Sequence, residues 1–274
     1  MTSGPASTSK AEQAARLLAA RRVSGEQGAR LPEDCRPASE AEAFDIQAAV
    51  TRVLDTPIAA WKCALPVDGH RVAAPIYAGT VHSGGTCAAI VRGDRVKVEP
   101  ELAFVLGQDL PAREAPYSES DVDAAIARTH LALELIDSRC TPEQAAQASF
   151  DEKLADGLVN QGLFLGPEVA AAPSRQATEL AIVVRPASGP SEQVLAGRHP
   201  NGLPRAPLYW LVEFLRERGQ GLHAGQAVIT GSYAGSFTVP LDEDLSVRYG
   251  ELGVLQVKFK RLTGGPFGEP STQQ

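Results

Sequence analysis

The stretch that decides the fold is residues 96–106, which read V-K-V-E-P-E-L-A-F-V-L. Successive side chains of a β-strand point to opposite faces, so every second residue shares a face. One face of this stretch carries only Val, Pro, Leu and Phe side chains and is therefore expected to be buried. The other face carries Glu99 and Glu101, whose carboxylates project from the same surface. The stretch predicts a strand with a buried back and paired acidic groups on its front.

The paired glutamates are compatible with two interpretations. Carboxylates this close repel each other unless they share a proton or a cation. A hard divalent ion, Mg²⁺ or Mn²⁺, prefers such oxygen ligands. The alternative is an exposed sheet face on which Glu99 and Glu101 are merely solvated, and their spacing alone favours this alternative.

A third glutamate, Glu134, changes the balance. It lies in L-A-L-E-L-I-D at residues 131–137, where Ala132 and Ile136 flank it on its own face. A carboxylate between apolar neighbours on a buried strand is costly without a partner. A cation shared with the other two glutamates would be such a partner. A salt bridge to Arg139 or another cation is the alternative.

Lys62 is the only charged residue in the apolar run between Pro57 and Asp68. Burial lowers the pKa of a lysine and can make it a general base near neutrality. The alternative is a lysine at a strand edge that keeps its ammonium group in water, and the run alone favours this alternative.

The rest of the chain is organised as a helical start followed by many short strands. Ser9 with Glu12 and Ser39 with Glu42 have the capping-box spacing, which predicts two helices before Pro57. Further helices are predicted at residues 121–130 and 207–218. Further strands are predicted at residues 86–91, 131–137, 163–165, 180–185, 193–196, 227–230, 236–239, 245–249 and 254–261.

These elements do not alternate as they would in a doubly wound α/β sheet, so the predicted fold class is α+β. We expect a helical N-terminal region at residues 1–56 and a mixed β-roll or sandwich at residues 57–262. Residues 1–8 and the tail at residues 263–274 are small and polar and are expected to be disordered.

Composition excludes several classes of function. The chain has 274 residues, 43% of them hydrophobic, and a formal net charge of −7, which argues against a nucleic-acid-binding surface. No window approaches the roughly 20 apolar residues of a membrane-spanning helix, and the N-terminus lacks the pattern of a secretory signal. The 4 cysteines are scattered and are expected to be free, buried thiols. We expect a cytoplasmic protein without nucleic-acid or membrane partners.

Four segments, in order along the chain, resemble the fumarylacetoacetate hydrolase superfamily. The resemblance is to its branch of 2-hydroxypenta-2,4-dienoate (2-oxopent-4-enoate) hydratases and 2-oxo-3-hexenedioate decarboxylases. The segments are the N-terminal helix at residues 43–47, the metal-site strand at residues 98–106 with 110–112, the second ligand segment at residues 132–139, and the late strand and substrate loop at residues 227–232. The resemblance implies a helical N-terminal region followed by a mixed β-roll.

The resemblance also implies roles for individual residues. The ligands of Mg²⁺ or Mn²⁺ would be Glu99, Glu101 and Glu134. The catalytic residues would be Lys62, which matches the active-site lysine, and Asp156, which matches an aspartate near the site. The residues in contact with the substrate would be Leu65, Thr230 and Gly231.

The function implied by the resemblance is a metal-dependent hydratase. Its substrate would be a 2-oxo or 2-hydroxydienoic acid, which gains water to give a 4-hydroxy-2-oxo acid, and the enzyme would be a homo-oligomer. The same scaffold would suit decarboxylation of a 2-oxo-3-enedioate or hydrolysis of a C–C bond.

The sequence departs from the family pattern around this site. Ala60 and Ala64 stand where glycines usually flank the lysine, and residues 75–79 lack an expected acidic residue. Residues 202–206 read G-L-P-R-A where the family has Gly-His-Pro with a downstream Asn, and Gly157 follows Asp156 where Asn is usual. These departures leave open a repurposed or non-catalytic member of the fold.

Overall fold

The structure, a computed structural model, describes residues 9–189, 192–263, 265 and 267. The helices are α1 (Lys10–Ser24), α2 (Glu40–Leu54), α3 (Glu119–Ala125), α4 (Pro142–Gln147), α5 (Phe150–Ala155), α6 (Ala171–Arg175) and α7 (Ala206–Glu217). The strands are β1 (Ile58–Val67), β2 (His70–Tyr77), β3 (Val81–Ser83), β4 (Thr86–Ala89), β5 (Arg95–Leu106), β6 (Ile126–Ile136), β7 (Asn160–Val169), β8 (Glu179–Pro186), β9 (Gln193–Arg198), β10 (Ala227–Ile229), β11 (Phe237–Pro240), β12 (Asp244–Tyr249) and β13 (Gly253–Arg261). The ends predicted to be disordered lie outside the described residues, except at positions 263, 265 and 267.

The described residues form two compact units. A helical unit comprises residues 9–57 and 138–159, and a β unit comprises the described parts of residues 58–137 and 160–263. The sequence analysis divided the chain near residue 57; the structure also groups residues 138–159, with α4 and α5, with the N-terminal helices. Throughout the described ranges, no helix is both long and apolar enough to cross a membrane.

The helical unit begins its helices as the sequence predicts. The Ser9 hydroxyl accepts a hydrogen bond from the Glu12 amide (3.2 Å), and the Ser39 hydroxyl accepts one from the Glu42 amide (3.3 Å). Helix α1 ends at Gly25, whose φ of 70° lies in the left-handed region that favours glycine.

Inside the helical unit, one buried aspartate joins several segments. The Asp156 carboxylate accepts a hydrogen bond from Arg139 Nε (2.6 Å), and the Asp156 carbonyl accepts bonds from Arg139 Nη2 (2.6 Å) and Arg22 Nη2 (2.6 Å). Arg139 and Asp156 are both buried. This ion pair connects α1 to the segment after β6 and to the end of α5.

The β unit contains two mixed sheets. The larger has the strand order β2-β1-β10-β5-β6-β7-β3, with β11 added to β5, and the smaller has the order β4-β13-β12-β8-β9. The Tyr249 hydroxyl on β12 donates to the carbonyl of Ala132 on β6 (2.5 Å) and links the two sheets. Together with the helices, this architecture is α+β, as predicted.

One face of the larger sheet forms an apolar core. Ile76 on β2 and Leu163 on β7 lie near opposite ends of the strand order and yet share this core, because the sheet curls into a roll. Its other buried members are small or branched: Ala60, Ala103, Val105, Ala132, Ala227 and Ile229. Glu99, Glu101 and Glu134 lie on the same face as this core.

Pro100 explains a gap beside β5. Strand β11 pairs with Arg95–Val98 and β10 pairs with Ala103–Val105, so the two strands leave the middle of β5 unpaired on that side. The Pro100 carbonyl accepts a hydrogen bond across this gap from the Tyr233 amide (2.9 Å). Because the N–H and C=O of one residue in an antiparallel ladder face the same neighbour, the N–H that proline lacks is missing here and not from the β6 ladder.

The structure corrects two local predictions. The helix predicted at residues 121–130 ends at Ala125, because Ile126 already pairs with Leu106 at the start of β6; the helix is capped by Ser118 instead of Ser120. The hairpin of β1 and β2 was not predicted, although Asp68 and Gly69 both have positive φ (53° and 81°), as an Asp-Gly hairpin turn requires.

The buried ion pair of the helical unit gives a stability prediction. Arg139→Met leaves the buried Asp156 carboxylate without its main partner, and removing one member of such a pair costs about 3–5 kcal/mol of unfolding free energy. Lys10→Met is the matched control, since Lys10 pairs with Glu42 on the exposed surface of the same unit and such pairs contribute little. Urea denaturation of both variants measures the difference. Equal losses would contradict a stabilising role for the Arg139–Asp156 pair.

Candidate metal and substrate site

Three carboxylates converge on the front of β5 and β6. Glu99 and Glu134 are directly paired across the two antiparallel strands, and Glu101 lies two residues further along β5. One carboxylate oxygen from each residue lies within 4.8 Å of the others. Glu134 is 0% exposed and Glu101 is 2% exposed, whereas Glu99 is half-buried. The alternative of a solvated acidic face therefore does not hold.

Burial and mutual repulsion act on the carboxylates in the same direction. Burial raises the pKa of Glu99, and the nearby charge of Glu134 raises it further. Burial also raises the pKa of Glu101 well above its ordinary value, again with a contribution from the charge of Glu134. The ionised forms of these two groups thus need positive charge nearby.

The two oxygens of Glu134 have different surroundings. Its Oε1 accepts hydrogen bonds from Lys62 Nζ (2.6 Å) and from Asn160 Nδ2 (2.9 Å). Its Oε2 is buried and accepts no hydrogen bond from any residue that the structure describes. The cation that pairs with Glu134 is thus Lys62, while Arg139, the alternative considered from sequence, pairs with Asp156.

Lys62 lies on β1 on the same face as the carboxylates, with 13% of its side chain exposed. Burial, the largest influence, lowers its pKa, but the charges of Glu134, Glu99 and Glu101 outweigh burial and raise the pKa above its ordinary value. The sequence analysis considered only the effect of burial and predicted the opposite direction. The paired lysine is therefore an ammonium group with a proton to donate.

The residues predicted to contact the substrate lie around the gap beside β5. The Gly231 amide donates to Glu101 Oε2 (2.6 Å) and holds that carboxylate. Thr230 is buried, and its hydroxyl lies 3.4 Å from His199 Nε2. The Leu65 amide donates to Asn201 Oδ1 (3.2 Å). Their roles in substrate binding stay predictions.

One segment that the sequence analysis set aside joins these three residues. His199, Pro200 and Asn201 contact Thr230, Gly231 and Leu65 respectively. The family's His, Pro and Asn residue types were sought at residues 202–206, but H-P-N stands just before that segment. That tripeptide was the signal that could have found it.

His199 is neutral in this arrangement. Burial lowers its pKa to about 4. Its Nδ1 accepts a hydrogen bond from the Asn201 amide (3.3 Å), so the ring proton resides on Nε2 and faces the Thr230 hydroxyl. The histidine expected to be dispersed and solvated is thus a buried donor that holds the loop.

The Asp156 carboxylate is engaged by Arg139 within the helical unit. The carboxylates, Lys62 and the Thr230–Gly231 loop all belong to the β unit. A catalytic role for Asp156 stays a prediction from the resemblance.

The chemistry of the donor set fits one hard divalent cation. Three carboxylates against one ammonium leave two negative charges in a buried place. The unbonded Glu134 Oε2 is a buried acceptor without a donor, which costs free energy unless a cation binds it. Oxygen-only donors of this kind suit Mg²⁺, Mn²⁺ or Ca²⁺.

Comparisons with known proteins confirm the resemblance to the fumarylacetoacetate hydrolase superfamily and its hydratase and decarboxylase branch. No family model matches the chain. A 2-oxo-hept-4-ene-1,7-dioate hydratase of Escherichia coli is 29% identical over 170 residues, which span 60% of this chain and 61% of that protein's length. A 4-oxalocrotonate decarboxylase from Pseudomonas putida G7, complexed with magnesium and adipate, matches with a TM-score of 0.74 and 20% identity over 92% of this chain and 97% of that one. A Yersinia pestis CO92 protein named for the fumarylacetoacetate hydrolase family matches with a TM-score of 0.51 and 17% identity over 75% and 94% of the two chains.

Gly231 gives a test of the loop geometry. Its φ of 127° is one that other residues rarely adopt, and a Cβ there would lie 2.7 Å from Pro200 Cγ. Gly231→Ala should therefore lose more stability than Gly235→Ala, the control in the same loop, whose φ is 64° and whose Cβ would meet no atom within 4 Å. We expect about 1–2 kcal/mol for Gly235→Ala from backbone strain alone and about 1–3 kcal/mol more for Gly231→Ala from overpacking. Chemical denaturation measures both, and similar losses would contradict close packing of Pro200 on Gly231.

Proposed function

We propose that the protein is a divalent-metal-dependent hydratase of a 2-hydroxy-2,4-dienoate or 2-oxo-enoate, with a 4-hydroxy-2-oxo acid as the product. The observation that carries the proposal is the cluster of Glu99, Glu101 and Glu134 beside Lys62, with one buried oxygen of Glu134 left unbonded among the described residues. Mg²⁺ or Mn²⁺ is the proposed cofactor. The resemblance further suggests a cytoplasmic homo-oligomer.

The names of similar proteins support this substrate class. The Escherichia coli relative is a hydratase of a 2-oxo-enedioate, and the Pseudomonas putida enzyme is a decarboxylase complexed with magnesium and a dicarboxylate, adipate. Both reactions need an electron sink at the 2-oxo end of the substrate. A divalent cation held by the three glutamates would supply this sink, because a Lewis acid stabilises negative charge that develops on the C2 oxygen.

Lys62 is the proposed proton carrier. Its Nζ lies 2.6 Å from Glu134 Oε1, which keeps the lysine in its ammonium form. Nζ would donate its proton to C5 of the dienol and collect the proton of the C2 hydroxyl, which leaves a 2-oxo-3-enoate. Hydroxide from a water then adds at C4 and a proton adds at C3, which gives the 4-hydroxy-2-oxo acid. The overall change is the addition of one water.

The Thr230–Gly231 loop is proposed to orient the substrate at the other side of the carboxylates. Gly231 holds Glu101 through its amide, and His199 and Pro200 fix the loop from behind. Preorganised donors of this kind lower the cost of ordering a bound anion. Leu65, held by Asn201, would complete this wall of the site.

Decarboxylation of a 2-oxo-3-enedioate is the second candidate reaction. It is supported by the structural match to the 4-oxalocrotonate decarboxylase, and it would use the same electron sink. The two reactions differ in one product, carbon dioxide. Hydrolysis of a C–C bond on this scaffold would instead give two carbon-containing products.

Substrate screening tests the proposed reaction. Purified protein with Mg²⁺ or Mn²⁺ should consume at least one member of a panel of 2-hydroxydienoates and 2-oxo-enedioates, measured as loss of ultraviolet absorbance. Removal of the metal with a chelator should abolish the reaction, and carbon dioxide detection should be negative. Glu134→Gln should lower kcat/KM more than about 100-fold, beyond the 10–100-fold effect typical of an outer-shell partner.

The control variant is Glu168→Gln, which changes an exposed carboxylate on β7 of the same sheet. It should retain the parent's activity. Carbon dioxide release would select the decarboxylase, and two carbon products would select the hydrolase. A parent protein that binds metal but converts no panel member would favour a repurposed member of the fold.

Lys62→Met separates proton transfer from metal binding. Loss of a general acid–base group costs about 10²–10⁴-fold in kcat. The affinity for Mn²⁺, measured by titration calorimetry, should stay the same or increase, because the variant removes a positive charge that competes for Glu134. A large loss of Mn²⁺ affinity in this variant would contradict the proposed division of roles.

A further inference from the structure

The register of β6 and β7 is interrupted beside the carboxylate cluster. Glu134 pairs with Leu163 and Leu135 pairs with Gly162, but the next residue, Ile136, pairs with Asn160. Strand β7 therefore carries one extra residue, Gln161, which forms a β-bulge. Bulges commonly redirect a side chain next to a functional site.

The bulge decides which amide faces the site. In a regular ladder Gln161 would lie opposite Ile136 and share the face of Glu134. With the bulge, Asn160 takes that position, and it is 1% exposed. Gln161 instead bonds the backbone of Ile90 (2.8 and 3.0 Å) and the carbonyl of Ile136 (3.3 Å).

The contacts of Asn160 fix the orientation of its amide. Nδ2 lies 2.9 Å from Glu134 Oε1 and 3.2 Å from the carbonyl oxygen of Gly162. Both of these groups are acceptors only, so the NH₂ end of the amide must face them, and both of its hydrogens are engaged. Gly162 is itself fixed, because a Cβ there would lie 2.4 Å from the carbonyl oxygen of Thr80.

We infer that Asn160 is a positioning residue that ties down one oxygen of Glu134, so that Oε2 is presented to the metal. The inference rests on the proposed function. Lys62 also bonds Oε1, but it reaches the carboxylate on a flexible four-carbon chain. The short, doubly bonded amide of Asn160 supplies the rigid contact, and it does so without adding charge to the cluster.

The structure offers a matched pair of variants. Asn160→Leu keeps the approximate shape of the side chain but removes the donor to Glu134. Gln161→Leu removes a neighbouring buried amide of the same strand that bonds only backbone groups in the described contacts. The probe is Mn²⁺ alone, without substrate, and the dissociation constant is measured by titration calorimetry and by the electron paramagnetic resonance signal of free Mn²⁺. Circular dichroism and the melting temperature report whether each variant is folded.

We expect Asn160→Leu to weaken Mn²⁺ binding about 10–100-fold, the range found for partners that orient metal ligands. Gln161→Leu should lower the melting temperature but leave the Mn²⁺ affinity within about twofold of the parent. Parent-like affinity in Asn160→Leu, or an equal loss in both variants, would overturn the inference. If either leucine variant fails to fold, the pair Asn160→Ala and Gln161→Ala is compared by the same criterion. A parent that binds no Mn²⁺ would refute the proposed metal site itself, and the inference with it.

Discussion

Charge balance at one end of an apolar roll is the constraint on which the site depends. Three carboxylate oxygens lie within 4.8 Å of one another beside a core of small and branched side chains. At an effective dielectric constant near 20, each pair of ionised groups at this separation repels by about 3–4 kcal/mol. Lys62 offsets part of this repulsion, and the amides of Gly231 and Asn160 each bond one carboxylate. Two negative charges remain, which is the charge that one divalent cation would neutralise.

The same constraint explains why a proline stands between two of the acidic residues. Pro100 lies where β10 and β11 leave β5 unpaired, and its carbonyl holds the Tyr233 amide. A regular strand there would place backbone against the front of β5. The interruption instead leaves room for the loop that carries Gly231 to reach Glu101. The proline thus preserves the β6 ladder, which positions Glu134, while it opens the other edge of β5.

The sequence predicted the parts of the site that follow from alternation along single strands. The front of β5 and the flanks of Glu134 could be read directly, because a period of two residues fixes the face. Asn160 could not be found in this way, since its face depends on a bulge that the sequence does not mark. The pKa direction of Lys62 could not be found either, because it depends on three charges from other strands. The helix predicted through His130 was too long, since pairing of β6 with β5 prevails over local helix propensity from Ile126 onward.

The departures from the family pattern fall in places where the structure accommodates them. Ala60 is 0% exposed and belongs to the apolar core of the roll, where it pairs with Ala227 on β10. Its methyl group fills the interior and does not add to the cluster of charged side chains. The apparent loss of a histidine at residues 202–206 is answered by His199, which bonds Thr230 from the preceding turn. Both departures therefore concern how the site is supported, and neither removes a charged group from it, which weakens the case for a repurposed fold.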